Sequence, residues 1–268
     1  MKVNKMNSTF DPATYLSNPT KRFSFLGAPM DALTMQETMA VAEWAIKTRT
    51  RLQHVVVNVA KLVNMQKDQN LFADVTGSDL INIDGMGVVW GARLCGHTVT
   101  ERVSGVDIME NLLKLSAEKG YRPYFFGAKQ DVLERAVKNI QTQYPALSIA
   151  GYRNGYFTAE EEPGIMQAIA DSKADCLFIA ISSPTKERLL SQYKDIINVP
   201  FLMGVGGSID IKAGLTKRAP VWMQKCGLEW FYRLMQEPRR MFGRYWHTNT
   251  RFAGLLLREM RKGKKAQA

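Results

Sequence analysis

From Asp31 to Asp210 short apolar runs alternate with stretches of helical period, each run closing on a glycine or a small polar turn. The runs are HVVVNVA from His54, LINIDG from Leu80, YRPYFFG from Tyr121, LSIAGYR from Leu147, CLFIAIS from Cys176 and FLMGVGG from Phe201. Between them lie predicted helices. Asp31 is read as the N-cap of a helix carrying Met35, Met39, Ala42 and Ile46 on one face, and a second helix runs on through Gln69. A third spans roughly Ser104–Lys119, and a fourth buries Val132, Leu133, Ala136, Val137 and Ile140 before stopping short of Pro145. Thr158 to Glu161 has a capping-box pattern opening the next, and the last starts near Pro184. CLFIAIS has no polar face, as a parallel strand covered on both sides requires. Alternating strands and helices predict an α/β fold, a Rossmann-like parallel sheet with helices on both faces. The predicted organisation is a flexible N-terminal arm over 1–22, the α/β core over 23–225 and a basic helical appendage over 226–268.

The appendage differs in kind. At about 100° per residue, Arg240, Arg244, Arg251, Arg258 and Lys262 share one side of a helix. Met241, Phe242, Tyr245, Trp246, Phe252, Leu256 and Met260 gather opposite, with Leu255 the main exception. Charge sharpens the contrast. Up to Ile211 there are 22 basic and 22 acidic residues; after it there are 14 and 3, so the whole formal charge of +11 lies in residues 212–268. A basic amphipathic helix with a Lys-rich end either packs on a core or lies in an anionic membrane interface, and the concentrated charge favours the interface. Nucleic acid is not expected, since no finger spacing, RNP motif or helix-turn-helix accompanies the charge. No apolar run reaches the roughly 18 residues of a membrane span, and the first twenty residues lack an apolar signal core. Three scattered cysteines, Cys95, Cys176 and Cys226, predict a reducing compartment and no zinc cluster. His54, His97 and His247 are equally scattered and read as structural. The expected location is the cytoplasm, peripheral on the inner face of the cell membrane.

The candidate chemistry begins at Asp84. LINIDG places this acid at a strand end, against a glycine turn that opens a helix; Glu101-Arg102-Val103-Ser104-Gly105 opens another. Strand ends and helix N-termini meet in the usual ligand crevice of an open α/β sheet. Taken alone, Asp84 reads first as a turn former or helix cap and only second as a base. Other strand ends carry ligand-type residues too: Asn58, Gly127, Asn154-Gly155-Tyr156, Ser182 to Glu187, and Gly204 to Asp210, which includes Gly206. None has dinucleotide or P-loop spacing, and no acid-x-acid motif ends a strand. Phosphates would therefore be held by helix N-termini and by Arg102, Lys186 and tail arginines, with no metal and no other cofactor.

The ordered motifs DGMGVVWGARLCG, ERVSGVDIM, YFFGAKQDVLERA, QYPALSIAGYRNGYF, SSPTKE, GVGGSIDIKAGLTKRAP and GLEWFYRLMQEPRRMFGRYW resemble the WecG/TagA/CpsF glycosyltransferases, glycosyltransferase family 26. The resemblance implies inverting transfer of a sugar from a UDP-sugar to a polyprenyl-diphosphate-linked sugar acceptor in bacterial surface-polysaccharide synthesis. It implies Asp84 as general base and Arg102 on the diphosphate leaving group. Asp210 corresponds to a position at the uracil end, and Arg233, Arg240 and Arg244 to appendage arginines that reach the diphosphate. Two departures stand out: the family's PKQE is Pro184-Thr185-Lys186-Glu187, and its Thr-x-Asn is Val56-Val57-Asn58. Both fall at the sugar site, so the donor is left open among an N-acetylmannosamine-type sugar, a hexose and a uronic acid. A catalytically inactive nucleotide-binding or lipid-sensing module of the same fold is the alternative, and a homo-oligomer is compatible with the sequence. Tyr156 and Phe157 either border the nucleotide or pack. Trp222 is expected to be packed, Trp230 and Trp246 to serve as interface anchors, and Glu229 and Glu237 to pair with neighbouring arginines.

Overall fold

A computed structural model describes residues 10–267, the side chains of Arg240 and 263–267 excepted. The chain runs α1 (Pro12–Ser17), β1 (Arg22–Phe25), β2 (Ala28–Asp31), α2 (Met35–Thr48), β3 (Leu52–Val57), α3 (Val59–Met65), α4 (Gln69–Thr76) and β4 (Leu80–Ile83). Then come α5 (Met86–Leu94), α6 (Gly105–Lys119), β5 (Pro123–Gly127), α7 (Gln130–Gln143), β6 (Gly151–Arg153), α8 (Glu162–Asp171), β7 (Cys176–Ala180), α9 (Thr185–Gln192) and β8 (Phe201–Gly204). Four helices close it: α10 (Ser208–Lys212), α11 (Val221–Lys225), α12 (Glu229–Gln236) and α13 (Pro238–Gln267). The sheet order is β1-β2-β4-β3-β8-β7-β5-β6, parallel throughout except for the β1–β2 hairpin. The chain winds outward from β3 to β4, then crosses to build the other half from β5. The switch point therefore lies at the C-terminal ends of β4, β3 and β8, where ligands bind in such sheets.

Side-chain alternation explains why the sheet is covered on both faces. In β7, Cys176 and Phe178 enter one core while Leu177 and Ile179 enter another. A third core lies under α3, α4 and α5 and takes in Phe252 from α13. At Gly127 the backbone adopts φ +127°, and a Cβ there would fall 2.5 Å from the Ala180 carbonyl. The close approach of β5 to β7 thus accounts for glycine at that position.

Several local expectations are corrected. Eight strands form rather than six, because the β1–β2 hairpin has only four residues per strand and no apolar run. Within the stretch expected to be a loose arm, residues 12–17 form α1, capped by Asp11 and anchored by buried Tyr15; residues 1–9 lie outside the described chain. Asp31 does not cap α2. It ends β2 fully buried, accepting from the Tyr15 hydroxyl, the Arg22 guanidinium and the Ile81 N–H. Thr34 is the cap, in a reciprocal box with Glu37. The Thr158 N–H does bond to the Glu161 carboxylate, but the helix proper starts at Glu162. His54 is buried against Asn82 (2.9 Å), and burial drops its pKa to about 4, which keeps it neutral.

Candidate active site at the sheet switch point

Asp84 follows β4, and its N–H bonds to the Val57 carbonyl at 2.8 Å, which ties the tip of β4 to β3. Gly85 turns with φ +124° and starts α5; a Cβ there would lie 3.5 Å from that of Asn58. The side chain of Asp84 keeps 25 % exposure, enough for a substrate to reach it. The N–H of Gly105, first residue of α6, donates to this carboxylate. Burial raises its pKa above the ordinary value; Arg102 opposes the rise and Glu229 adds to it. Arg102 Nη1 stands 3.7 Å from Asp84 Oδ1 and 2.8 Å from Glu229 Oε2. Two neighbouring elements, the α5 and α6 N-termini, thus present a partly buried acid beside a guanidinium.

Asn58 caps α3, its Oδ1 accepting from the Lys61 N–H at 3.0 Å. That cap turns Lys61 inward, where Nζ meets Glu187 Oε1 at 2.8 Å; Lys186 Nζ reaches the same oxygen at 3.2 Å. Two ammonium groups on one buried carboxylate leave an excess positive charge, which is costly unless a further anion compensates it. Burial lowers the Lys61 pKa to about 8 despite the attraction of Glu187. Burial would raise Glu187, but Lys61 and Lys186 more than offset it and hold the carboxyl below its usual range. The stem of Lys186 runs over Gly204, where a Cβ would come within 2.7 Å of its Cε and force the lysine stem to shift.

Beyond Gly204 the turn continues through Gly206 (φ +48°) to Gly207, against which the Arg233 guanidinium of α12 rests. Arg233 Nε is buried with no hydrogen-bond partner. A buried guanidinium donor at a glycine turn and a helix N-terminus is suited to an oxyanion. Among the described residues, no group of three or more His, Cys, Asp or Glu side chains is placed to hold a metal ion.

The sequence model of the Glycosyl transferase WecG/TagA/CpsF family matches residues 23–266, sheet and appendage alike. The chain belongs to this family. It is 36% identical over 174 residues to the N-acetylglucosaminyldiphosphoundecaprenol N-acetyl-beta-D-mannosaminyltransferase of Bacillus subtilis (strain 168), covering 65% of this chain and 67% of that one. A protein of the same name from Bacillus spizizenii is 33% identical over 168 residues, 63% of this chain and 65% of its own. The aligned stretch therefore spans about two thirds of either relative.

Of the residues expected at a WecG/TagA/CpsF site, Asp84, Arg102, Asn58, Lys186, Gly206 and Arg233 lie at the rim around β4, β3 and β8. Asp210 sits in the first turn of α10, its carbonyl accepting from Leu215 and Thr216. Gly127 lies two strands beyond β8 and has the packing reason given above. Arg244 is exposed on α13, and the side chain of Arg240 lies outside the described residues. Phe157 packs on Phe126 with ring centroids 5.6 Å apart, whereas Tyr156 is exposed. Trp222, expected to be packed, is 62 % exposed, because α11 turns it away from the core while Met223 goes in. Glu229 does pair with arginines, with Arg218 just before α11 and with Arg102, distant in the chain. Lys61 was not singled out from sequence. A lysine three residues past an N-cap, inside the apolar run VNVAKLV, was the available signal.

The apolar side of α13 divides. Met241, Thr248 and Phe252 are buried, and Leu255 and Leu256 pack on the third core. Phe242 and Trp246 stack on each other in solvent, and exposed Trp230 of α12 contacts its neighbour Phe231 and Tyr245 of α13. Arg244, Arg251, Arg258 and Lys262 are exposed along α13. No helix among the described residues is long and apolar enough to cross a membrane.

Proposed function

We propose that this chain is an inverting glycosyltransferase that moves a sugar from a UDP-sugar to a polyprenyl-diphosphate-linked N-acetylglucosamine or a similar lipid-linked sugar. The reading is carried by one juxtaposition, a partly exposed Asp84 beside Arg102 at the switch point of a WecG/TagA/CpsF chain. Asp84 takes the proton of the acceptor hydroxyl as that oxygen bonds to the anomeric carbon. The bond from that carbon to the diphosphate oxygen breaks on the opposite face, and its electron pair leaves with UDP. Arg102 and the Arg233 Nε meet the charge that grows on the departing diphosphate. The aromatic ridge and exposed arginines of α12 and α13 bring the site to the anionic inner surface of the cell membrane, where such an acceptor lies.

A screen of UDP-sugars by thermal shift, followed by transfer to N-acetylglucosaminyl-diphosphoundecaprenol, tests this reading. Transfer from any UDP-sugar supports it. UDP binding with no transfer from any donor favours the inactive nucleotide-binding module, and no UDP binding rejects both.

The Lys61–Glu187–Lys186 cluster lies at the sheet rim beside the Asn58 cap and Gly204, and in this reading its excess charge tunes donor binding. Lys186→Gln and Lys61→Met are each expected to weaken the donor with little effect on plateau rate, or to change which donor is preferred. Because Lys61 titrates near 8 in the folded chain, its share of donor affinity should be present below that pH and fade above it. Donor KM measured from pH 6 to 10 checks this. A KM flat through pH 8, or a Lys186→Gln variant with unaltered donor choice and unaltered donor KM, would remove the cluster from the donor site.

A further inference from the structure

The contacts of Arg102 give the appendage a part in the chemistry that the family assignment does not describe. One nitrogen, Nη1, faces two carboxylates, Glu229 at 2.8 Å and Asp84 at 3.7 Å. Glu229 opens α12 and is itself braced from behind, since Arg218 Nε stands 3.5 Å from its other oxygen. Arg218 in turn grips Asp107 with both arms, at 2.6 and 2.7 Å. Asp107 lies in the first turn of α6, the helix whose first N–H donates to Asp84. Acids and arginines thus alternate along an open series, Asp84–Arg102–Glu229–Arg218–Asp107, whose two end acids both meet the first turn of α6, and Glu229 is its one member from α12.

We infer that Glu229 is a positioning residue for the transfer reaction: by holding the Arg102 guanidinium it keeps that cation off Asp84 and leaves the acid free to take a proton. A guanidinium in direct contact with a carboxylate depresses its pKa by roughly one to three units, and a base so quenched abstracts a proton poorly. At 3.7 Å Arg102 remains near enough to serve the leaving group without closing on Asp84. The charged groups facing Asp84 are Arg102 from the preceding loop, Glu229 from α12, Asp107 from α6 and Lys61 from α3. Of these, Glu229 alone both adds negative charge and restrains the arginine. Without it, both effects act in one direction. The negative neighbour disappears and Arg102 is released toward Asp84, its other carboxylate partner, so the proton affinity of Asp84 must fall.

The inference rests on reading Asp84 as the base, and the test separates the two. The full chain carrying aspartate labelled with carbon-13 at the carboxyl is titrated by NMR, with Asp84→Asn identifying the signal; no substrate is needed. Glu229→Gln is expected to lower the Asp84 midpoint by about one pH unit or more, while Glu229→Asp retains most of the wild-type value. Arg218→Gln, which leaves Glu229 to Arg102 alone and removes a positive charge, is expected to hold or raise the midpoint. In transfer assays the acid limb of kcat/KM for Glu229→Gln moves down with the midpoint, and the plateau rate falls. A midpoint that does not fall in Glu229→Gln overturns the inference. So does an equal fall in Arg218→Gln, which would signal general loosening of the rim. Full transfer by Asp84→Asn would instead overturn the base assignment and leave the titration readable.

Discussion

Asp84→Asn is expected to cut sugar transfer by about 10²–10⁴-fold, the usual contribution of a positioned general base, while UDP binds as in the wild type. The amide keeps the size of the acid and can still face the Gly105 N–H through its oxygen, so α5 and α6 have no reason to move. What it loses is the capacity to take the acceptor proton. The wild-type pH profile should show the same group from the other side. Burial places the Asp84 pKa above the ordinary carboxylate value of 3.8. Acid inactivation should therefore set in at a higher pH than for an exposed aspartate, as the protonated fraction grows on falling pH, and Asp84→Asn should lack that limb. Single-turnover transfer with saturating donor isolates the chemical step from product release. A variant that transfers at the wild-type rate with an unchanged acid limb would leave the switch-point acid as a helix cap and no more.

That Asp84 was legible in the sequence has a physical reason. A carboxylate at the end of an apolar strand, followed by glycine, is a local pattern, and strand, turn and helix N-terminus follow one another within ten residues. The parallel sheet was legible for a similar reason, because burial on both faces leaves runs such as CLFIAIS with no polar side. Asp31 shows where local reading fails. Its neighbours offered a helix cap, and only the fold brings Tyr15, Arg22 and the Ile81 N–H around it. The same holds at the site. Lys61 and Glu187 are 126 residues apart, as Arg102 and Glu229 are 127, and no periodicity links such pairs. The amphipathic pattern of α13 was correct as a pattern but carried two faces. A helix wheel groups Phe252 with Trp246, yet the first fills the third core under Gly91 and Phe25 while the second stays in solvent.

That division decides how membrane attachment should be tested. Removing everything after Lys225 would strip Phe252 from the core and take Glu229 and Arg233 from the rim, so lost activity would say nothing about lipid. Trp230, Phe242 and Trp246 are the better targets. They are between 43 % and 69 % exposed, and the core is indifferent to them. Indole and phenyl rings favour the headgroup boundary, and the exposed cations of α13 add roughly 1 kcal/mol each near an anionic surface. Replacing all three rings by alanine is expected to weaken binding to vesicles rich in anionic lipid by at least about tenfold, or roughly 1.4 kcal/mol. Thermal stability should barely change. Transfer to an acceptor with a short, water-soluble prenyl chain should persist, while transfer to the same sugar diphosphate on a long chain embedded in vesicles should fall with the binding. Raising salt should weaken the wild type further by screening Arg244, Arg251, Arg258 and Lys262, yet leave the contribution of the rings. If the triple variant floats with vesicles as the wild type does, the ridge serves another surface, and the basic face of α13 alone must account for any attachment.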